Sequence, residues 1–173
     1  MGAIQSSFNQ LISTVAGGIG LVKHVSEQKW ANKKVAIDEA EKYNTAMGDI
    51  NKETEALNVQ QEGINAQTDK VDKNVNNLYE RVKDNETLSP QEKGLVTRYD
   101  NAYKRLEEEQ AMVTKRREEL NERIDMLKNK RQFVERSTKK AGFKDIPIKE
   151  ATEAKKPNET LMDTMKQRKE GNQ

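Results

Sequence analysis

An apolar residue at every seventh position, sustained on both sides of one helix-start signal, constrains this chain more than any other feature. Upstream of the signal, Ala36, Tyr43, Ile50, Leu57, Ile64, Val71 and Leu78 are spaced by sevens, and Ala40, Met47, Thr54, Gln61, Thr68, Val75 and Val82 follow four residues after each. Downstream, Tyr99, Leu106, Val113, Leu120, Leu127 and Val134 keep the same spacing, with Val96, Tyr103, Gln110, Arg117, Ile124 and Arg131 as companions. An α-helix turns once in 3.6 residues, so a period of seven returns each apolar side chain to nearly the same stripe. Such a stripe is buried by winding against a second helix. Residues 36–82 alone give a seam of ~70 Å at ~1.5 Å per residue.

The start signal lies between the two repeats. Residues 84–89 read as a loop, and Ser89-Pro90-Gln91-Glu92 as a helix N-terminus. The Ser89 hydroxyl can accept from the Glu92 N–H while the Glu92 carboxylate accepts from the Ser89 N–H. Proline loses nothing at the first helical position, where its missing N–H would have had no partner. The predicted fold is all-α: a long antiparallel helical hairpin, coiled-coil-like, occupying 23–140 with helices over roughly 25–83 and 90–140. Its middle is polar, with Thr54, Gln61 and Thr68 facing the region of Gln110 and Arg117. Polar seam residues cost stability but fix register, or mark where a third helix or another subunit docks. Gly48 and Gly63 weaken the first helix by about 1 kcal/mol each relative to alanine. These features predict a homo-oligomer in which neighbouring copies complete the packing.

The second helix is expected to stop at Lys139-Lys140-Ala141-Gly142, where cations meet the negative end of the helix dipole and glycine takes a left-handed cap. The remainder, 141–173, is predicted to be an extended tail broken by Pro147 and Pro157 and anchored by Phe143, Ile146 and Ile148. A short helix is expected over 159–169 through Leu161, Met162 and Met165.

The N-terminus differs in kind. Residues 1–22 carry no charged side chain, while all the lysines, arginines, aspartates and glutamates follow them. Read as a helix, Ile4, Phe8, Leu11, Ile12, Val15, Ile19 and Val22 fall at spacings of three and four and form one apolar face. The other face holds Gln5, Ser6, Ser7, Asn9, Gln10, Ser13 and Thr14, which suits a groove in a partner, a bilayer interface or a pore of several copies better than a lone membrane span. Gly17, Gly18 and Gly20 read as a hinge. No basic region precedes Lys23, so the segment lacks the form of a signal peptide. Gly2 followed by Ser6 matches the N-myristoylation pattern, which fixes few positions.

Composition excludes more than it identifies. Only 33% of residues are hydrophobic against 35% charged, with a mean hydropathy of -1.05, too little apolar surface for a self-contained globule. The formal net charge is +2 with both signs interspersed, so total charge favours neither specific nucleic-acid contact nor an anionic membrane. Lys115-Arg116-Arg117 and Lys128-Asn129-Lys130-Arg131 alternate with Glu107, Glu108, Glu109, Glu118, Glu119 and Glu122 and read as an ion-paired helix surface. There is no cysteine, and His24 stands alone, so no metal site is expected. The glycines after Ala16 lack phosphate-loop spacing. No catalytic residue, cofactor or metal ligand is predicted.

The opening Met1-Gly2-Ala3-Ile4-Gln5-Ser6-Ser7-Phe8, then Val15-Ala16-Gly17-Gly18-Ile19-Gly20, on a long charged helical body, resembles small virion proteins of tailed bacteriophages. The layout is most similar to the internal, or ejection, proteins of short-tailed phages. That resemblance implies a cargo protein of the virion interior, in head or tail. It also implies contact with portal, tail or other cargo proteins, and exit with the genome to help form a conduit across the host envelope, with transient membrane contact. It carries over no functional residue, because the family has no fixed motif. A reading from another class is a cellular peripheral membrane adaptor on the cytoplasmic membrane surface, anchored by residues 1–22 and self-associating through the hairpin.

Overall fold

The computed structural model describes residues 27–143 and 146–171. Among them the protein is all-helical, with two long helices packed against each other and one short one: α1 (Glu27–Val82), α2 (Pro90–Lys140) and α3 (Glu159–Gly171).

Helix boundaries follow local chemistry. After α1, Asn85 N–H bonds the Val82 carbonyl at 2.9 Å and closes a turn. At the start of α2 the capping box is formed in both directions: Ser89 N–H to Glu92 Oε1 at 2.8 Å, and Glu92 N–H to Ser89 Oγ at 3.2 Å. Two of the helix's orphan donors are thereby satisfied. At its end Gly142 adopts φ +84°. Its N–H bonds the Lys139 carbonyl at 3.1 Å while Phe143 N–H reaches back to Thr138 at 3.0 Å. That pair of bonds is the Schellman closure, and only glycine takes its left-handed residue without strain.

The chain divides into two compact units, Met1–Glu53 with Leu120–Thr152, and Thr54–Glu119 with Glu153–Gln173. In the first, Ala36, Ala40, Tyr43, Met47 and Ile50 of α1 are buried with Leu120 and Val134 of α2, and Ile146 joins them from beyond the helix end. Arg123 reaches across to Glu53 at 3.3 Å. In the second, Leu57, Ile64 and Leu78 are buried with Leu106 and Val113, and Leu161 of α3 is fully enclosed. Here Asp72 pairs with Tyr103, Gln61 with Gln110 and Asn58 with Arg117. Partner numbers rise on α2 as they fall on α1, so the helices run antiparallel in this unit.

Between the two shorter anchors, Ile146 and Leu161, residues 146–158 have no regular secondary structure. They form a strap held against α1.

Candidate functional site

The strap is held by asparagines. α1 carries Asn44, Asn51, Asn58 and Asn65 at intervals of seven, each immediately after a buried apolar residue of the seam: Tyr43, Ile50, Leu57 and Ile64. Each asparagine therefore stands at the edge of the seam, on the flank where the strap runs.

In the first unit, Asn44 Nδ2 donates to the Pro147 carbonyl and Asn44 Oδ1 accepts from Lys149 N–H, both at 2.8 Å. Asn51 Nδ2 donates to the Glu150 carbonyl at 3.0 Å, and its Oδ1 accepts from Thr152 N–H at 2.8 Å. In the second unit, Asn58 makes the same pair with Glu153 (3.0 Å) and Lys155 (2.7 Å), and Asn65 with Lys156 (3.1 Å) and Asn158 (2.8 Å). Every rung thus joins one side-chain amide to the carbonyl of strap residue n and the N–H of residue n+2. This is the pattern a peptide group makes in a parallel β-ladder. The asparagine amide stands in for the neighbouring strand.

The repeat works because two periods agree. Seven helical residues rise ~10.5 Å, and three residues of extended chain rise about 9–10 Å. The strap accordingly reads in triplets, Pro-Ile-Lys, Glu-Ala-Thr, Glu-Ala-Lys and Lys-Pro-Asn, from residue 147 to 158. The first residue of each triplet gives a carbonyl and the third an N–H. Proline is excluded only from the third position, which explains why Pro147 (first) and Pro157 (middle) are accommodated.

Side chains reinforce the rungs. Tyr43 Oη donates to the Lys149 carbonyl at 3.2 Å, and burial pushes the phenol above its ordinary pKa. The Lys149 side chain runs past Gly48, where an added Cβ would lie 3.1 Å from its Nζ. Arg131 bridges Glu135 at 3.1 Å and Glu150 at 3.3 Å. In the second unit Lys155 Nζ meets Glu62 at 2.8 Å. Asn158 closes the series: its Nδ2 donates to Asp69 at 2.7 Å, and its Oδ1 caps α3 by accepting from Thr160 N–H at 2.9 Å. The last rung is therefore also the N-cap of α3.

The polar middle of the seam is a second network. Gln61 and Gln110, both fully buried, exchange amide hydrogen bonds: Gln61 Nε2 to Gln110 Oε1 at 2.6 Å, and Gln110 Nε2 to Gln61 Oε1 at 2.8 Å. Their second amide hydrogens go to Asn65 Oδ1 (3.0 Å) and Thr114 Oγ1 (3.3 Å), which links the glutamine pair to a rung. Thr68 is buried and returns its hydroxyl to the Ile64 carbonyl at 2.7 Å. Arg117 Nη2 donates to Asn58 Oδ1 at 3.0 Å, its Nε has no hydrogen-bond partner among the described residues, and burial lowers its pKa. Tyr103 donates to Asp72 at 2.5 Å, and burial followed by that bond raises its pKa.

Of the seam residues read from the heptads, Tyr43, Ile50, Leu57, Ile64, Leu78, Leu106, Val113, Leu120 and Val134 are buried. Val71, Tyr99 and Leu127 are half-buried. The contact residues Ile4, Phe8, Leu11, Ile12, Val15, Ile19 and Val22, and the hinge Gly17, Gly18 and Gly20, lie outside the described residues. The asparagines were missed by a reading tuned to apolar residues, although their own interval of seven is visible in the sequence. Among the described residues, no group of His, Cys, Asp and Glu is placed to hold a metal ion, and no helix is long and apolar enough to cross a membrane.

No family model, no curated protein and no solved structure matches the chain.

Proposed function

We propose that the chain is a non-enzymatic structural protein: a coiled-coil-like antiparallel hairpin, locked by its own strap, that carries the uncharged segment 1–22 to a partner or a bilayer. One observation carries this reading. The polar side chains that in an enzyme would face a substrate here face the chain's own main chain, rung after rung, and the buried glutamines face each other. That chemistry makes a stiff body and leaves recognition to other parts of the chain.

The setting proposed for this body is the virion interior, as an internal or ejected protein that associates with copies of itself and with portal, tail or other cargo proteins. Its support is the layout, an apolar one-faced end on a long charged helical body. Mass spectrometry of purified particles before and after genome release tests it: the chain should be present before and depleted after. Recovery from host-cell membranes, with none in particles, would reject the virion setting in favour of the peripheral adaptor.

A further inference from the structure

We infer that the end of the first unit where α1 begins and α2 stops is a docking face for the phosphate headgroups of an anionic bilayer. The inference rests on the reading that residues 1–22 are the working contact, and it names the surface they meet.

Although the chain as a whole is nearly neutral, this end is not. Lys33 and Lys34 of α1 lie here with Arg136, Lys139 and Lys140 of α2, and none of the five forms an ion pair among the described residues. The nearby acids are already engaged or few. Glu39 pairs with Lys42 at 3.7 Å and Glu135 with Arg131 at 3.1 Å, which leaves Asp38 and Glu41 in the following turns of α1, with Glu27 at its first position. Among the described residues, cations without a carboxylate partner also occur elsewhere on the same helices, as at Lys70 and Lys115; this end differs in gathering five of them around the close of α2 and the first turns of α1. The five cations outnumber the three remaining acids of α1 at this end.

The same end exposes apolar surface. Val35 and Phe133 are each just over half exposed, at 54% and 53%, and both line a groove of about 650 Å³ together with Lys33 and Lys140. Lys33 Nζ sits 5.6 Å from the ring centre of Phe143. An aromatic and an aliphatic side chain flanked in the groove by Lys33 and Lys140 fit a bilayer interface, where the ring enters the headgroup layer and the ammonium groups meet phosphate. A nucleic acid would use the cations but leave Val35 and Phe133 without a purpose. In sequence the uncharged segment 1–22 lies four residues before α1 begins.

The test is cosedimentation of the full chain with phosphatidylcholine vesicles, with and without phosphatidylglycerol, at low and high salt. Partition should require phosphatidylglycerol and fall with salt, and each neutralised cation should lower it roughly fivefold. The variants are Lys33→Gln with Lys140→Gln, then Arg136→Gln and Lys139→Gln added, with circular dichroism confirming that each stays helical. Lys70→Gln with Lys115→Gln, in the second unit, should bind as the wild type does. Equal partition onto neutral vesicles, equal loss in the Lys70/Lys115 variant, or salt-sensitive binding to duplex DNA with none to vesicles would overturn the inference. A Leu11→Asp variant separates the two readings. Normal vesicle leakage by that variant sinks the working-contact reading, whereas retained salt-sensitive partition supports the docking face on its own.

Discussion

A single asparagine on α1 does what a strand edge does elsewhere, and it does so against a propensity cost. Asparagine is a poor residue for a helix interior, because its amide competes for nearby backbone groups. In the rungs that competition is absent, because both ends of the amide are engaged by the strap. Replacing Asn51 by alanine removes two hydrogen bonds and leaves the Thr152 N–H and Glu150 carbonyl to water. The expected cost is about 1–2 kcal/mol, tempered by alanine's better helix propensity. It should appear as faster amide exchange at Thr152 with little change at α2 amides. Uniform acceleration across both helices would mean that the rung is not a local clasp. The glutamine pair behaves oppositely on single and double change. Gln110→Leu strands the buried Gln61 amide and should cost about 2–3 kcal/mol, while Gln61→Leu with Gln110→Leu should recover most of it. Chemical denaturation of the three variants measures the coupling. Additive losses would show that the two amides do not act as a pair.

At the scale of elements, the boundaries were legible and the strap's attachment was not. The capping box at Ser89 and the glycine stop at Gly142 are local: the residues that make them lie within a few positions of one another, so the sequence displays them directly. The heptads likewise predict which side of each helix is buried. The strap meets α1 across 93 to 105 residues of chain at Asn65 and Asn44, through side chains that look in the sequence like an ordinary solvated surface. Two signals were nevertheless present, asparagines at every seventh residue and a triplet pattern in Glu-Ala-Thr-Glu-Ala-Lys. Neither has meaning until helix rise and strand rise are compared. The cap also sets a pH dependence. The Ser89 backbone N–H, then its hydroxyl, holds Glu92 below its ordinary value of 4.5. A depressed carboxylate contributes stability above the unfolded value and loses it as pH falls through the folded one. Acidification through and below about pH 4.5 should therefore fray the first turn of α2, and Glu92→Gln should remove that part of the transition. Amide exchange at residues 90–95 reports it. An unchanged acid limb in Glu92→Gln would assign the fraying to other carboxylates.

For the molecule as a whole, the question is what completes a polar two-helix body. The sequence alone suggested neighbouring copies, and part of that need is met within the chain: the strap covers the asparagine flank of α1, and α3 brings in Leu161, which is fully buried. α2 keeps exposed apolar side chains. Met112 in the second unit and Met126 in the first are 73% and 74% exposed, with the charged Glu119 at the heptad position between them. A flexible, apolar thioether costs little to leave in water singly, and each of these is a separate exposed contact open to a partner. If a second copy supplies that partner, the thermal midpoint should rise with protein concentration, because association stabilises only the folded form. Met112→Lys with Met126→Lys should abolish the rise while leaving helicity intact at low concentration, since neither side chain contributes to the buried seam. The Asn51→Ala variant should melt lower at every concentration yet keep the slope, because Asn51 holds the strap to α1 and its loss leaves both methionines in place. Scanning calorimetry over a wide concentration range separates these outcomes. A midpoint independent of concentration in the wild type would mean that the strap alone completes the packing and that the methionines are plain surface.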